Sequence, residues 1–215
     1  MTKVIILQEH QEKALEQSVS VIKNGGLVAI PTDTVYGIVG NAREVKTVER
    51  LYALKARSKE KAFPVFVRDV ATARRFAYIS DAKAQFLERV WPGPLTVIFC
   101  HKEKLPSVLT AGKNTIAMRI PQFAFALALL ACIDIPLVQS SANISGMPAA
   151  KNSEDVIASF ANQKQKPNLV IDGGEIMGMP STIIDFTANQ PRLVRSGVMT
   201  KEDIDMFFQN ISNIN

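Results

Sequence analysis

Leu27-Val28-Ala29-Ile30-Pro31-Thr32-Asp33-Thr34-Val35-Tyr36-Gly37 joins a short apolar run directly to a proline and three small oxygen-bearing side chains. Four apolar residues ended by a turn former read as a buried strand. Pro31 fixes its own φ and carries no N–H, which suits the end of a strand. Gly37 would let the backbone turn sharply or let a ligand come close. In open α/β sheets ligands collect at the carboxyl ends of strands. The stretch is therefore one wall of a binding site, or else a Ser/Thr or Asx turn that satisfies only its own backbone. Taken alone, the turn is slightly favoured.

Outward from this stretch, strands and helices alternate. Strands are expected at Val4–Leu7, Leu27–Ile30, Phe63–Val67, Leu95–Cys100, Thr115–Arg119, Pro136–Gln139, Leu169–Ile171, Thr182–Phe186 and Arg192–Arg195. Helices are expected at Glu9–Lys23, Arg43–Leu54, Asp69–Phe76, Asp81–Val90, Phe123–Ile133 and Lys201–Phe208, with Ser153 capping another that runs to Phe160 and a frayed tail over Gln209–Asn215. Several strands follow one another without a helix between them. That pattern predicts an α/β (α+β-like) fold: a twisted, open, mixed β-sheet with helices packed on it, in one domain over residues 1–215.

The chain has 215 residues, 47% hydrophobic and 21% charged, enough to bury a large core without disulfides or metals. Its two cysteines form no CxxC, which fits a reducing, cytoplasmic setting. Phe123–Ile133, the most apolar segment, is half the roughly 20 residues a membrane span needs, so no membrane association is expected. From Arg43 to Arg75 there are ten basic residues against four acidic ones; this excess of six is larger than the whole chain's +5. Such a focus suits an anionic partner, a nucleotide or a nucleic acid, or else a solvated helix face.

Several chemistries drop out. There is no GxxxxGK[ST], GxGxxG or GxSxG, and the two histidines, His10 and His101, sit in no ligand-like cluster. Four polar clusters remain at strand ends or adjoining loops: Thr32-Asp33-Thr34, Lys55-x-Arg57 with Lys61, Ser140-Ser141-Ala142-Asn143, and Pro180-Ser181-Thr182 with Arg195. Thr115 and Arg119 lie four apart in one strand and so share a face. Together these describe a cleft rich in cations, hydroxyls and amides and poor in general bases. It would suit the binding of phosphates and carboxylates, and phosphoryl or nucleotidyl transfer depends mainly on such positioning.

The motifs Pro31-Thr-Asp-Thr-Val-Tyr-Gly37, Lys55-x-Arg57, Trp91-Pro-Gly-Pro-Leu-Thr96, Met118-Arg-Ile-Pro121, Ser141-x-Asn143 with Ser145-Gly146, Ser181-Thr-Ile-Ile-Asp185 and Arg195-x-Gly197 occur in that order. In this the chain resembles the YrdC family of L-threonylcarbamoyladenylate synthases, from about Ser18 to about Gly197, in its short, single-domain form. The resemblance implies a large positively charged cleft. It also implies a reaction in which L-threonine, bicarbonate and ATP give threonylcarbamoyl-AMP and pyrophosphate. A downstream tRNA threonylcarbamoyl transferase would use the product.

Carried over by motif, Thr34, Arg119, Ser141 and Ser181 contact L-threonine, with Arg119 on its carboxylate. Arg57, Lys61, Thr115, Asn143, Lys151 and Arg195 contact ATP, and Lys55 and Arg57 are the catalytic pair. Mg²⁺ is expected to accompany the triphosphate rather than to occupy a protein metal site. Asp33 is expected only to hold its turn. Phe66 stands where longer members of the family tend to have a threonine-contacting histidine. An alternative is a family paralogue that binds double-stranded RNA or tRNA without synthase activity. A different ATP-dependent carbamoyl transferase fits less well, since no zinc-finger or acylphosphatase-like segment is present.

Overall fold

The structure, a computed structural model, describes residues 2–176, 178–188, 191–200, 202, 203 and 206. The expected closing helix Lys201–Phe208 and the tail Gln209–Asn215 fall largely or wholly outside these residues. In chain order the elements are β1 (Lys3–Ile6), α1 (Gln11–Lys23), β2 (Val28–Ile30), β3 (Gly37–Asn41), α2 (Val45–Lys55), β4 (Val65–Phe66), α3 (Val70–Phe76) and α4 (Asp81–Val90). They continue with β5 (Leu95–Cys100), α5 (Ser107–Thr110), β6 (Thr115–Arg119), α6 (Ala124–Ile133), β7 (Leu137–Ser141), α7 (Ser153–Phe160), β8 (Leu169–Asp172), β9 (Thr182–Asp185) and β10 (Arg192–Arg195).

One ten-stranded sheet runs β1-β8-β2-β3-β7-β4-β6-β5-β9-β10. It is mixed, as expected: β1/β8 and β5/β9 are parallel, while β3/β7 and β5/β6 are antiparallel. Alternation along the strands sorts side chains between two cores. Val28 and Ile30 join Phe125, Leu129 and Ile22 under α1 and α6. Ala29 and Ile38 join Leu51, Phe63 and Val97 under the helices of the opposite face.

Two expectations about local structure change. Gly37 is the first residue of β3 and pairs with Ile30. It does not need a left-handed backbone, and a Cβ there would meet only ordinary contacts from 3.5 Å outward. The opening stretch is thus the loop of an antiparallel β2–β3 pair. The second change concerns α7, which is capped by Asn152, whose side chain accepts from the Asp155 amide, rather than by Ser153.

Candidate active site

Helices leave one face of β5, β6 and β9 uncovered, and there the sheet floors a cleft of about 560 Å³. Period-two alternation builds the floor: Thr96 and Ile98 of β5, and Thr115, Ala117 and Arg119 of β6, line the cleft, while Val97, Ile116 and Met118 are buried in the core. Pro180 and Ser181 enclose it on one side, with Ser140, Ser141 and Asn143 on another, and Arg195 of β10 lines it too. Nine predicted residues meet here: Thr34, Arg57, Lys61, Thr115, Arg119, Ser141, Asn143, Ser181 and Arg195. Lys113, Thr96 and Gln139 also line it, although no motif had marked them as contacts. Strand alternation alone could have found Thr96, since it shares its face with Ile98. Lys113 lies in a loop and has no such signal.

The 31–37 loop is held by Thr32. Its Oγ1 donates to the Val35 carbonyl (2.7 Å) and accepts from the Thr34 amide (3.1 Å). With its one proton used, Thr32 accepts from the Thr34 hydroxyl at 3.0 Å, which leaves Thr34 a lone-pair acceptor for anything in the cleft. Asp33 takes no part in holding the turn. Its Oδ1 pairs with Arg119 Nη2 at 2.6 Å, which corrects the expected role. Arg119, 3% exposed, also donates from Nε to Gly93 O (2.8 Å) and from Nη1 to Thr34 Oγ1 (3.1 Å). Three of its five N–H donors are engaged, which leaves two for a ligand. Burial depresses its pKa; Asp33 opposes that shift, and nearby Arg195 adds to it.

Ser181 is fixed from two sides. Its Oγ shares a hydrogen bond with Thr96 (2.9 Å), and Arg195 Nη2 donates to its carbonyl (2.7 Å). Gly197 must be a glycine, because a Cβ there would lie 2.1 Å from Pro180 O. Likewise, a Cβ on Gly178 would lie 1.9 Å from Thr34 O, so the backbone at Gly178 passes directly against the 31–37 loop.

Lys55 departs from its expected catalytic place. It is 1% exposed at the C-terminal turn of α2 and does not face the cleft. Its ammonium donates to Ser141 O (2.5 Å), Asn143 Oδ1 (2.8 Å) and, more weakly, Ser141 Oγ (3.4 Å). Asn143 Nδ2 in turn donates to Ile144 O (3.1 Å) and Met147 O. Lys55 therefore shapes the Ser141–Asn143 wall from behind and does not line the cleft. Burial, with the Arg57 charge second, pushes its pKa down to about 7. Arg57, the other expected catalytic residue, does line the cleft; it donates to Lys61 O (3.0 Å) and Ala62 O (2.9 Å) and lies over the Phe63 ring.

Lys151 is exposed and off the cleft; its amide bonds Asp155 Oδ2 and its carbonyl accepts from Ile176. Phe66 is buried and does not line the cleft, its ring 6.0 Å from the Arg119 guanidinium carbon. The Arg43–Arg75 focus is not one surface. Lys55 is buried, Arg57 and Lys61 line the cleft, Arg68 and Arg74 pair with carboxylates, and Arg50 is bonded to Gln165 and Lys166.

The Sua5_yciO_yrdC family, described as Telomere recombination, matches residues 20–197. The chain belongs to that family. Among relatives, the "Threonylcarbamoyl-AMP synthase" of Pyrococcus abyssi is 35% identical over 95% of this chain and 60% of its own length. The protein of the same name from Bacillus subtilis is 32% identical over 89% of this chain and 55% of its own length. This chain thus spans little more than half the length of these relatives. The crystal structure of P. abyssi Sua5 complexed with L-threonine superposes with a TM-score of 0.86 at 32% identity, covering 98% of this chain and 61% of that one. E. coli YciO shares the fold, with a TM-score of 0.83 at 24% identity. The expected twisted mixed α/β sheet is that of these Sua5 and YciO structures.

Proposed function

We propose that this chain makes L-threonylcarbamoyl-AMP from L-threonine, bicarbonate and ATP, releasing pyrophosphate. The product would pass to a separate transferase that modifies tRNA. One observation carries the reading: nine of the eleven predicted site residues converge on a single cleft. That cleft is lined by Arg57, Lys61, Lys113, Arg119 and Arg195 and, among the described residues, by no carboxylate. All three substrates bring anionic groups, and cationic hydrogen-bond donors bind those selectively.

In this reading bicarbonate loses its hydroxyl to give CO2, the threonine amine attacks that carbon, and the proton the amine gives up leaves with the hydroxide as water, giving a carbamate. A carbamate oxygen then attacks the α-phosphorus of ATP, and the α–β bridging oxygen leaves with pyrophosphate. Thr34, Arg119, Ser141 and Ser181 would contact the amino acid, with Arg119's two remaining donors for its carboxylate. Arg57, Lys61 and Thr115, with Asn143 and Arg195, would hold the nucleotide. Catalysis would then come from alignment and charge stabilisation. No group of carboxylates or histidines suited to a metal occurs among the described residues. Mg²⁺ would arrive with the triphosphate as part of the substrate. No helix among the described residues is long and apolar enough to cross a membrane; we place the reaction in the cytoplasm, with tRNA as the eventual acceptor.

Purified protein should release pyrophosphate and form the adenylate only when ATP, bicarbonate and threonine are all present. Arg57→Ala should lower turnover by about 10²-fold or more while the fold survives, in line with the loss of a transition-state donor. Pyrophosphate release that does not depend on threonine would remove the assignment.

A further inference from the structure

Among the described residues, four of the five cations that line the cleft have no carboxylate partner. Only Arg119 is paired, with Asp33. Asp33 itself is not part of the cleft lining. Its Oδ1 contacts Arg119 from behind, and its Oδ2 is buried with no hydrogen-bond partner among the described residues. The carboxylate is thus committed to Arg119 and serves no turn of its own, since Thr32 holds the loop. Arg119 and Asp33 together carry no net charge, while the Arg57, Lys61 and Lys113 end is uncompensated.

We propose that Asp33 is a positioning and specificity-determining residue, which aims the Arg119 guanidinium into the cleft and cancels its charge so that this end accepts a carboxylate and excludes polyphosphate. A single carboxylate gains two directed hydrogen bonds from the donors left on Arg119. A triphosphate at the same place would meet the Arg195 charge alone, because Asp33 offsets Arg119, and would be repelled by the carboxylate behind it. Discrimination between two ligands is a difference of affinities, and a repulsive element sharpens it. Two anions that must react would thereby be sorted to opposite ends of one cleft. This inference rests on the synthase reading and adds a residue to it.

Calorimetric titration of the full chain tests it. For Asp33→Asn, the dissociation constant for L-threonine should rise at least tenfold and that for a non-hydrolysable ATP analogue less than threefold. With the analogue already bound, inorganic tripolyphosphate should displace threonine from Asp33→Asn and not from the wild type. In an Arg119→Gln background, adding Asp33→Asn should change threonine binding less than twofold, whereas a merely structural residue would keep its effect. Should Asp33→Asn fail to fold, Asp33→Glu keeps the charge but shifts it by one methylene, so it should weaken threonine and still exclude tripolyphosphate. Equal losses for both ligands, threonine binding within twofold of wild type, or an undiminished effect without Arg119 would each overturn the proposal. A wild type that binds no threonine overturns the synthase reading and this inference with it.

Discussion

Two cations are buried beside the same cleft, and they are held in opposite ways. Arg119 is 3% exposed and paired with a carboxylate; Lys55 is 1% exposed and surrounded by a carbonyl, a hydroxyl and an amide oxygen. A guanidinium stays charged in proteins, so burying it calls for a countercharge. An ammonium can release its proton, and burial moves Lys55 toward doing so. Arg119 is therefore a fixed charge that presents spare donors to the cleft, and Lys55 is a clamp whose donors all point into the wall.

The sharpest test of that contrast is to delete each cation. Arg119→Ala leaves Asp33 with no partner for either oxygen. Breaking a buried pair costs about 3–5 kcal/mol, and we expect about 3 because the Asp33 side chain keeps 13% exposure. Urea midpoints would measure this, and threonine binding should weaken by at least the roughly tenfold expected of Asp33→Asn. Lys55→Met strands only neutral oxygens and removes a buried charge, so its cost should be smaller, about 1–2 kcal/mol. Turnover should nonetheless fall on the order of 10²-fold, because the Ser141–Asn143 wall loses its anchor and small misplacements are costly. The contrast fails if the two variants lose the same stability.

The difference between these cations also shows what a sequence can and cannot reveal. Alternation placed Thr115 and Arg119 on one face and separated them from Ile116 and Met118, because strand geometry fixes which way a side chain points. Lys55 and Arg57 are only two residues apart and look equivalent as Lys-x-Arg. Between them α2 ends at Ala56 in a left-handed conformation, φ 45°, and this sends one side chain into the wall and the other into the cleft. A non-glycine residue in that conformation carries no composition signal. Asp33 was legible as a short acidic residue in a turn, but its partner lies 86 residues away on β6, beyond any local pattern. β3 was hidden for a related reason. Gly37-Ile38-Val39-Gly40-Asn41 is buried on both sides and shows no polar alternation, and its strand character comes from pairing with β2 and β7.

The subtlest consequence lies in pH dependence. An unfolded lysine keeps its proton up to about 10.5, whereas folded Lys55 releases it near 7. Between those values the unfolded chain binds more protons, so this group makes stability rise as pH increases through the window. Below about 7 both states are protonated, and the fold bears the full cost of the buried charge. One proton can contribute at most about 1.4 kcal/mol per pH unit. The three oxygens around the ammonium favour its charged form and oppose the shift, so we expect on the order of 1 kcal/mol between pH 6 and pH 9. The comparison to make is between wild type and Lys55→Met in paired denaturation curves, which cancels every other titrating group. Wild type should gain on the variant as pH rises. A constant difference would mean that Lys55 stays charged throughout, so that both buried cations are fixed and the clamp is an ordinary ammonium.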